Sequence, residues 1–122
     1  MSWTYSQSSG KLLHNGTLVA TGYSGHDEGL NNPSLQDEAQ IGPIPQGAYS
    51  IGPVTANHPG KGPVVMEIIP KPGTQVFGRS GFLIHGDNQA VDHTASHGCI
   101  ILGRPTREQI AASADRDLVV TR

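Results

Sequence analysis

The segment 84–102, IHGDNQAVDHTASHGCIIL, holds the only cysteine of a 122-residue chain and three of its six histidines, His85, His93 and His97. A free thiol, with an ordinary pKa of about 8.5, is only a few per cent ionised at neutral pH. An imidazole within hydrogen-bond reach can take the thiol proton as sulfur attacks and later return it to a leaving amine. One cysteine and one neutral-pH base are therefore enough for acyl transfer, and this segment supplies both. His97 lies two residues before Cys99 and shares a face with it on an extended backbone, whereas His85 has to arrive from a paired strand. Spacing leaves either histidine open as the base.

Gly98 fits the same chemistry, because a residue without Cβ admits a substrate carbonyl to the backbone, where the amides of Gly98 and Cys99 could face a developing oxyanion. Asp87 and Asp92 are candidates for orienting an imidazole. Arg79, Arg104 and Arg107 flank these segments, and an arginine beside a thiol can clamp a substrate carboxylate with two donors. Ser96, Arg79 and Arg107 are taken as the candidate substrate contacts. Two other readings compete: Cys99 as a small buried hydrophobe ahead of Ile100, and a zinc site from His85, His93, His97 and Cys99, whose ligand types suit the metal.

The elements that must position these residues are short strands. Sixteen glycines and nine prolines argue for many turns and a mostly β fold. Strands are expected at 3–6, 11–14 and 17–23, with Asn15-Gly16 as a type I′ hairpin turn that also accounts for the glycosylation-like Asn15-Gly16-Thr17. Residues 24–40 show neither helical nor strand period and read as a long surface loop. Further strands are expected at 48–51, 64–69, 81–85, 98–102 and 118–121. The strands at 81–85 and 98–102 each deliver one reactive side chain at an end. A single helix is expected from 105–106 to 114, with Thr106 and Gln109 at capping-box spacing. His14, His26 and His58 fall in turns or loops and read as exposed. The length suits one domain over 1–122.

Composition excludes several classes of function. A net charge of -2 gives no basic field for nucleic acid or an anionic membrane. A lone cysteine forms no intrachain disulfide and no paired-cysteine zinc motif. No segment approaches the roughly 18 apolar residues of a membrane span, and the N-terminal residues lack a secretory signal pattern, so any export is expected to use another route.

His85-Gly86 followed by Ser96-His97-Gly98-Cys99 resembles the signature of the L,D-transpeptidases, cysteine enzymes of bacterial cell-wall synthesis. WTYSQSSGKL at 3–12, GYSG at 22–25, IGPIPQGAYSIG at 41–52 and FGRSGFLIHGDN at 77–88 extend the resemblance to the compact branch delivered as antibacterial toxins by type VI secretion. The resemblance implies a small, mainly β sandwich or barrel with one short helix near the C-terminus. It implies Cys99 as nucleophile and His85 as base, with His97, Gly98 and Cys99 shaping the oxyanion site. The implied substrate is the peptidoglycan stem tetrapeptide, attacked between meso-diaminopimelate and the terminal D-alanine, with water or a D-amino acid resolving the acyl-enzyme. No cofactor, a monomer and a cognate immunity protein are the corresponding expectations. So are synthesis in the cytoplasm, export by a dedicated machine and action in the periplasm of a target bacterium. In the cell-wall-building relatives an arginine commonly follows the Cys-hydrophobic element, where this chain has Ile101. A non-catalytic peptidoglycan-binding module and a zinc-dependent amidase are the alternatives.

Overall fold

A computed structural model describes residues 2–87, 96 and 98–122. The N-terminal meander forms as the hairpin chemistry requires. Strands β1 (Trp3–Ser6), β2 (Lys11–His14) and β3 (Thr17–Thr21) run antiparallel. Asn15 and Gly16 both take positive φ, 52° and 82°, the backbone of a type I′ turn. The expected strand over 17–23 is in fact two. After Gly22 the chain enters β4 (Tyr23–Ser24), which pairs with a different partner.

The segment 24–40 is a loop held by two single 3-10 turns, Asp27–Gly29 and Pro33–Leu35. It leads into the longest strands, β5 (Gly47–His58) and β6 (Gly62–Pro70), joined as one hairpin. Both exceed the expected lengths. Pro53 sits where the pairing register shifts between Ile51 and Val54, a bulge that tolerates the missing amide. Beyond the bulge the arm of the hairpin is largely exposed and carries its turn at residues 58–62.

The shorter strands β7 (Leu83–His85) and β8 (Ile100–Ile101) pair in parallel, and β9 (Asp117–Thr121) closes the chain. Helix α1 (Arg104–Ala112) begins earlier than its capping-box spacing suggests. Gly103 is its N-cap and no side chain caps it, so Thr106 lies inside the helix and Pro105 occupies the first turn.

The nine strands form one mixed sheet in the order β3-β2-β1-β9-β5-β6-β7-β8-β4. Its two edge strands, β3 and β4, are consecutive in the chain, so the sheet curls until its edges meet at Gly22. The Gly22 amide donates to Gly10 O at 2.8 Å, extending the β2–β3 ladder up to that point. The result is a nearly closed β-barrel with one helix, the class expected from the turn-rich sequence. Trp3, Tyr5, Tyr49, Met66, Ile84 and Ile110 are at the centre of the main core. A smaller cluster of Tyr23, Cys99 and Ile101, with Leu30 and Leu83 against it, lies on the other face of β4, β7 and β8.

Candidate active site

Strand alternation places the two candidate residues, Cys99 and His85. In the parallel pair, Ile84 stands opposite Ile100 and His85 opposite Ile101. Ile84 and Ile100 point into the main core, so their neighbours in sequence point the other way. Cys99, Leu83 and Ile101 therefore share the outer face with His85, and Cys99 is diagonal to it across one strand pair. His97, the other candidate base, lies outside the described residues, as do Asp92 and His93.

His85 is only 2% exposed. Its Nδ1 lies 2.8 Å from Gly86 O, and a carbonyl can only accept, so Nδ1 carries the proton. Nε2 is left as a lone pair, buried and without a partner among the described residues. Burial holds the imidazole pKa below its ordinary value; the Gly86 bond opposes this, and the charges of Lys61, Arg107 and His58 add to the lowering. The group that orients the imidazole is thus a main-chain carbonyl. Asp87 instead accepts from Tyr23 Oη at 2.7 Å.

Cys99 is 8% exposed, and its Sγ contacts Gly81 O at 3.9 Å. Burial pushes the thiol pKa up, against smaller lowering effects from the Leu83 backbone, Lys61 and Arg79. At rest the thiol and the imidazole are therefore both neutral, not a preformed thiolate–imidazolium pair. Catalytic hydrogen bonds are commonly long before substrate arrives, so the absence of an Sγ–Nε2 bond does not disqualify the pair.

Ser96 is fully buried and holds the turn before Cys99. Its Oγ accepts from Gly25 N at 2.8 Å and from Gly98 N at 3.2 Å, and donates to Cys99 O at 2.6 Å. His26 adds a bond from Nδ1 to Ser96 O at 2.8 Å. His26 was read from the sequence as exposed; it is instead packed against the cysteine turn. His14 is likewise engaged, stacked on Trp3 at 4.0 Å and bonded to Asp115 at 2.9 Å.

The two arginines nearest the site each lie against a glycine beside a reactive residue. Arg79 is buried, donates to the carbonyls of Gln36, Gly42 and Pro43 at 2.5–2.9 Å, and rests on the Phe82 ring. Gly98, at φ +120°, lies so close that a Cβ there would sit 2.5 Å from Arg79 Nη2. Arg107 donates to Leu102 O, Pro63 O and Val64 O, and a Cβ on Gly86 would sit 2.7 Å from its Nη2. Donors committed in this way tie loops together. Arg107 also lines a cavity of about 400 Å3 with Asp87, Tyr23 and Ile101. Arg104 is exposed and pairs with Glu108 at 3.6 Å. Ile101, in the position where an arginine is common, is buried against Tyr23.

Of the four residues weighed as zinc ligands, His85 and Cys99 are described, and no group of three or more metal-ligating side chains converges among the described residues. No helix among them is long and apolar enough to cross a membrane. Residues 19–121 match the family model described as the Tlde1 domain. The chain has no match among curated proteins.

Proposed function

The chain belongs to the Tlde1 domain family, an L,D-transpeptidase-like effector domain, and from that premise we propose that it is a cysteine L,D-carboxypeptidase and L,D-transpeptidase. One observation carries this reading: Cys99 and His85 share one face of adjoining strands, and the His85 lone pair is buried, fixed in its tautomer and without a partner among the described residues.

In the proposed reaction Cys99 Sγ attacks the carbonyl between meso-diaminopimelate and the terminal D-alanine of a stem tetrapeptide. His85 Nε2 takes the thiol proton as the C–S bond forms. Main-chain amides at 97–99 receive the oxyanion. Collapse of the adduct breaks the C–N bond, and the imidazolium gives its proton to the departing D-alanine amine. Water then enters with His85 as base, regenerating the thiol and releasing a tripeptide; a D-amino acid entering through its amine gives an exchanged tetrapeptide. Because thiol and imidazole are both neutral at rest, proton transfer accompanies attack and no standing thiolate is exposed to oxidants.

As an effector, the protein would reach peptidoglycan by type VI secretion and act in the periplasm of a rival cell, with a cognate immunity protein guarding the producer. Depletion of tetrapeptide donors for crosslinking is the proposed harm. Periplasm-directed protein should injure a recipient and cytosolic protein should not; equal effects would remove this part of the proposal.

The chemistry is tested by mass spectrometry of defined muropeptides incubated with wild type and Cys99→Ala, with and without D-methionine. Loss of one D-alanine marks hydrolysis, and a substituted tetrapeptide marks exchange. An unchanged product profile with Cys99→Ala would rule out thiol catalysis, and binding without conversion by the wild type would leave a peptidoglycan-binding module.

A further inference from the structure

If the two buried arginines hold loops, the carboxylate of the substrate needs another cation. The chain has eight lysines and arginines. Lys71 pairs with Asp117, Arg104 with Glu108, and Arg116 donates to carbonyls including Ile51 O and Ile110 O. Lys11 is in β2 and Arg122 follows β9, and neither strand pairs with β7 or β8. Lys61 remains. It is exposed, and among the described residues its ammonium has no ion pair or hydrogen bond.

The fold brings Lys61 to the site. Strand β6 pairs antiparallel with β7, Met66 against Ile84 and Glu67 against Leu83, so towards its start β6 runs past the His85 end of β7. There Arg107, lying against Gly86, holds Pro63 O and Val64 O at 2.6 and 3.0 Å. The hairpin turn follows immediately, with His58 paired to Gly62 and the Lys61 amide donating to His58 O. His58 Nδ1 is buried with no partner among the described residues. The charge of Lys61 is felt at both His85 and Cys99.

Acyl transfer then assigns a side. The leaving amine has to lie next to the imidazole that protonates it, and the carboxylate of the leaving residue is one carbon beyond that nitrogen. The cation beyond His85 is the one on the hairpin turn.

We propose that Lys61, at the tip of the β5–β6 hairpin, anchors the free carboxylate of the residue being released, and equally that of an incoming D-amino acid during exchange. This rests on the proposed L,D-carboxypeptidase and transpeptidase activity. It makes the protein selective for a chain-terminal residue: a substrate without a free carboxylate at that position loses its anchor.

The test compares a tetrapeptide stem ending in a free D-alanine carboxylate with the same stem ending in a carboxamide, using wild type, Lys61→Met and Lys61→Arg. Lys61→Met should lower kcat/KM on the acid about tenfold, mostly through KM, the scale of one charge-assisted hydrogen bond, and leave the amide within about twofold. Lys61→Arg should restore most of the loss. Equal loss on acid and amide, or a wild type indifferent to the carboxylate, would overturn the role of Lys61 while leaving the enzyme reading intact. A wild type that converts neither peptide would overturn both.

Discussion

Replacing Ser96 with alanine separates two roles that one hydroxyl could have in a cysteine enzyme. As a substrate contact, Ser96 would raise KM when removed and leave stability alone. The structure gives it a different one: fully buried, it accepts from Gly25 N and Gly98 N and donates to Cys99 O. Ser96→Ala leaves two amides and one carbonyl without that partner. Each buried polar group left unsatisfied costs about 1–3 kcal/mol, and three at the low end sum to about 3 kcal/mol. Against a typical domain stability of about 5–15 kcal/mol, that is a large fraction. With a urea m-value of about 2 kcal/mol/M, the midpoint should fall by about 1.5 M at constant m. Urea titration followed by tryptophan fluorescence reads this directly, since Trp3 is the sole tryptophan and is buried in the main core. Muropeptide turnover, measured at denaturant-free conditions where the variant is folded, should fall in kcat because the turn carrying Cys99 has lost its tether. A midpoint shift below about 0.3 M, with KM raised, would refute the structural role and return Ser96 to the substrate.

Three further outcomes follow from the same geometry. Burial lowers the His85 pKa and raises that of Cys99, so the acid limb of kcat/KM should lie below the ordinary imidazole value of about 6.5, and alkylation by iodoacetamide should be slow at pH 7; a limb above 7 would contradict the neutral pair. The same depression acts on stability: between the folded pKa and about 6.5 the unfolded chain binds more protons, so His85 contributes stability above that window that is lost as pH falls through it, which denaturation midpoints at pH 7 and 5 would register against His85→Gln. Gly98→Ala should cost about 1–3 kcal/mol from the backbone alone at φ +120°, with a further loss as Arg79 is displaced, so a thermal midpoint unchanged from wild type would negate the close packing of that turn.

The strand ends that carry the candidate residues Cys99 and His85 were legible in the sequence because their signals are local. His-Gly closing one short strand and Ser-His-Gly-Cys opening another mark two strand ends, and the structure pairs those strands. The meander and its Asn15-Gly16 turn were legible for the same reason. What stayed hidden depends on contacts far apart in the chain. Arg79 reaches the carbonyls of 36–43 and Arg107 those of 63 and 64, and nothing in the spacing of an arginine says that its fork faces the main chain. The length of the β5–β6 hairpin was not legible, because it contains Pro53 and Pro59, one at a bulge and the other in the turn. Ser96 and His26 brace the cysteine turn only because the loop after β4 folds back onto it.

The position of β9 has a consequence for how the protein comes into being. The last strand of the chain is not at the margin of the sheet but fourth in its order, between β1, which it joins in parallel, and β5. Until it arrives, the meander at the start of the chain and the hairpin that frames the thiol are separate halves with no ladder between them. The barrel therefore cannot shut until residues 117–121 are in place between β1 and β5. Removing residues 117–121 would split the sheet down its middle, a far greater injury than the number of lost side chains suggests.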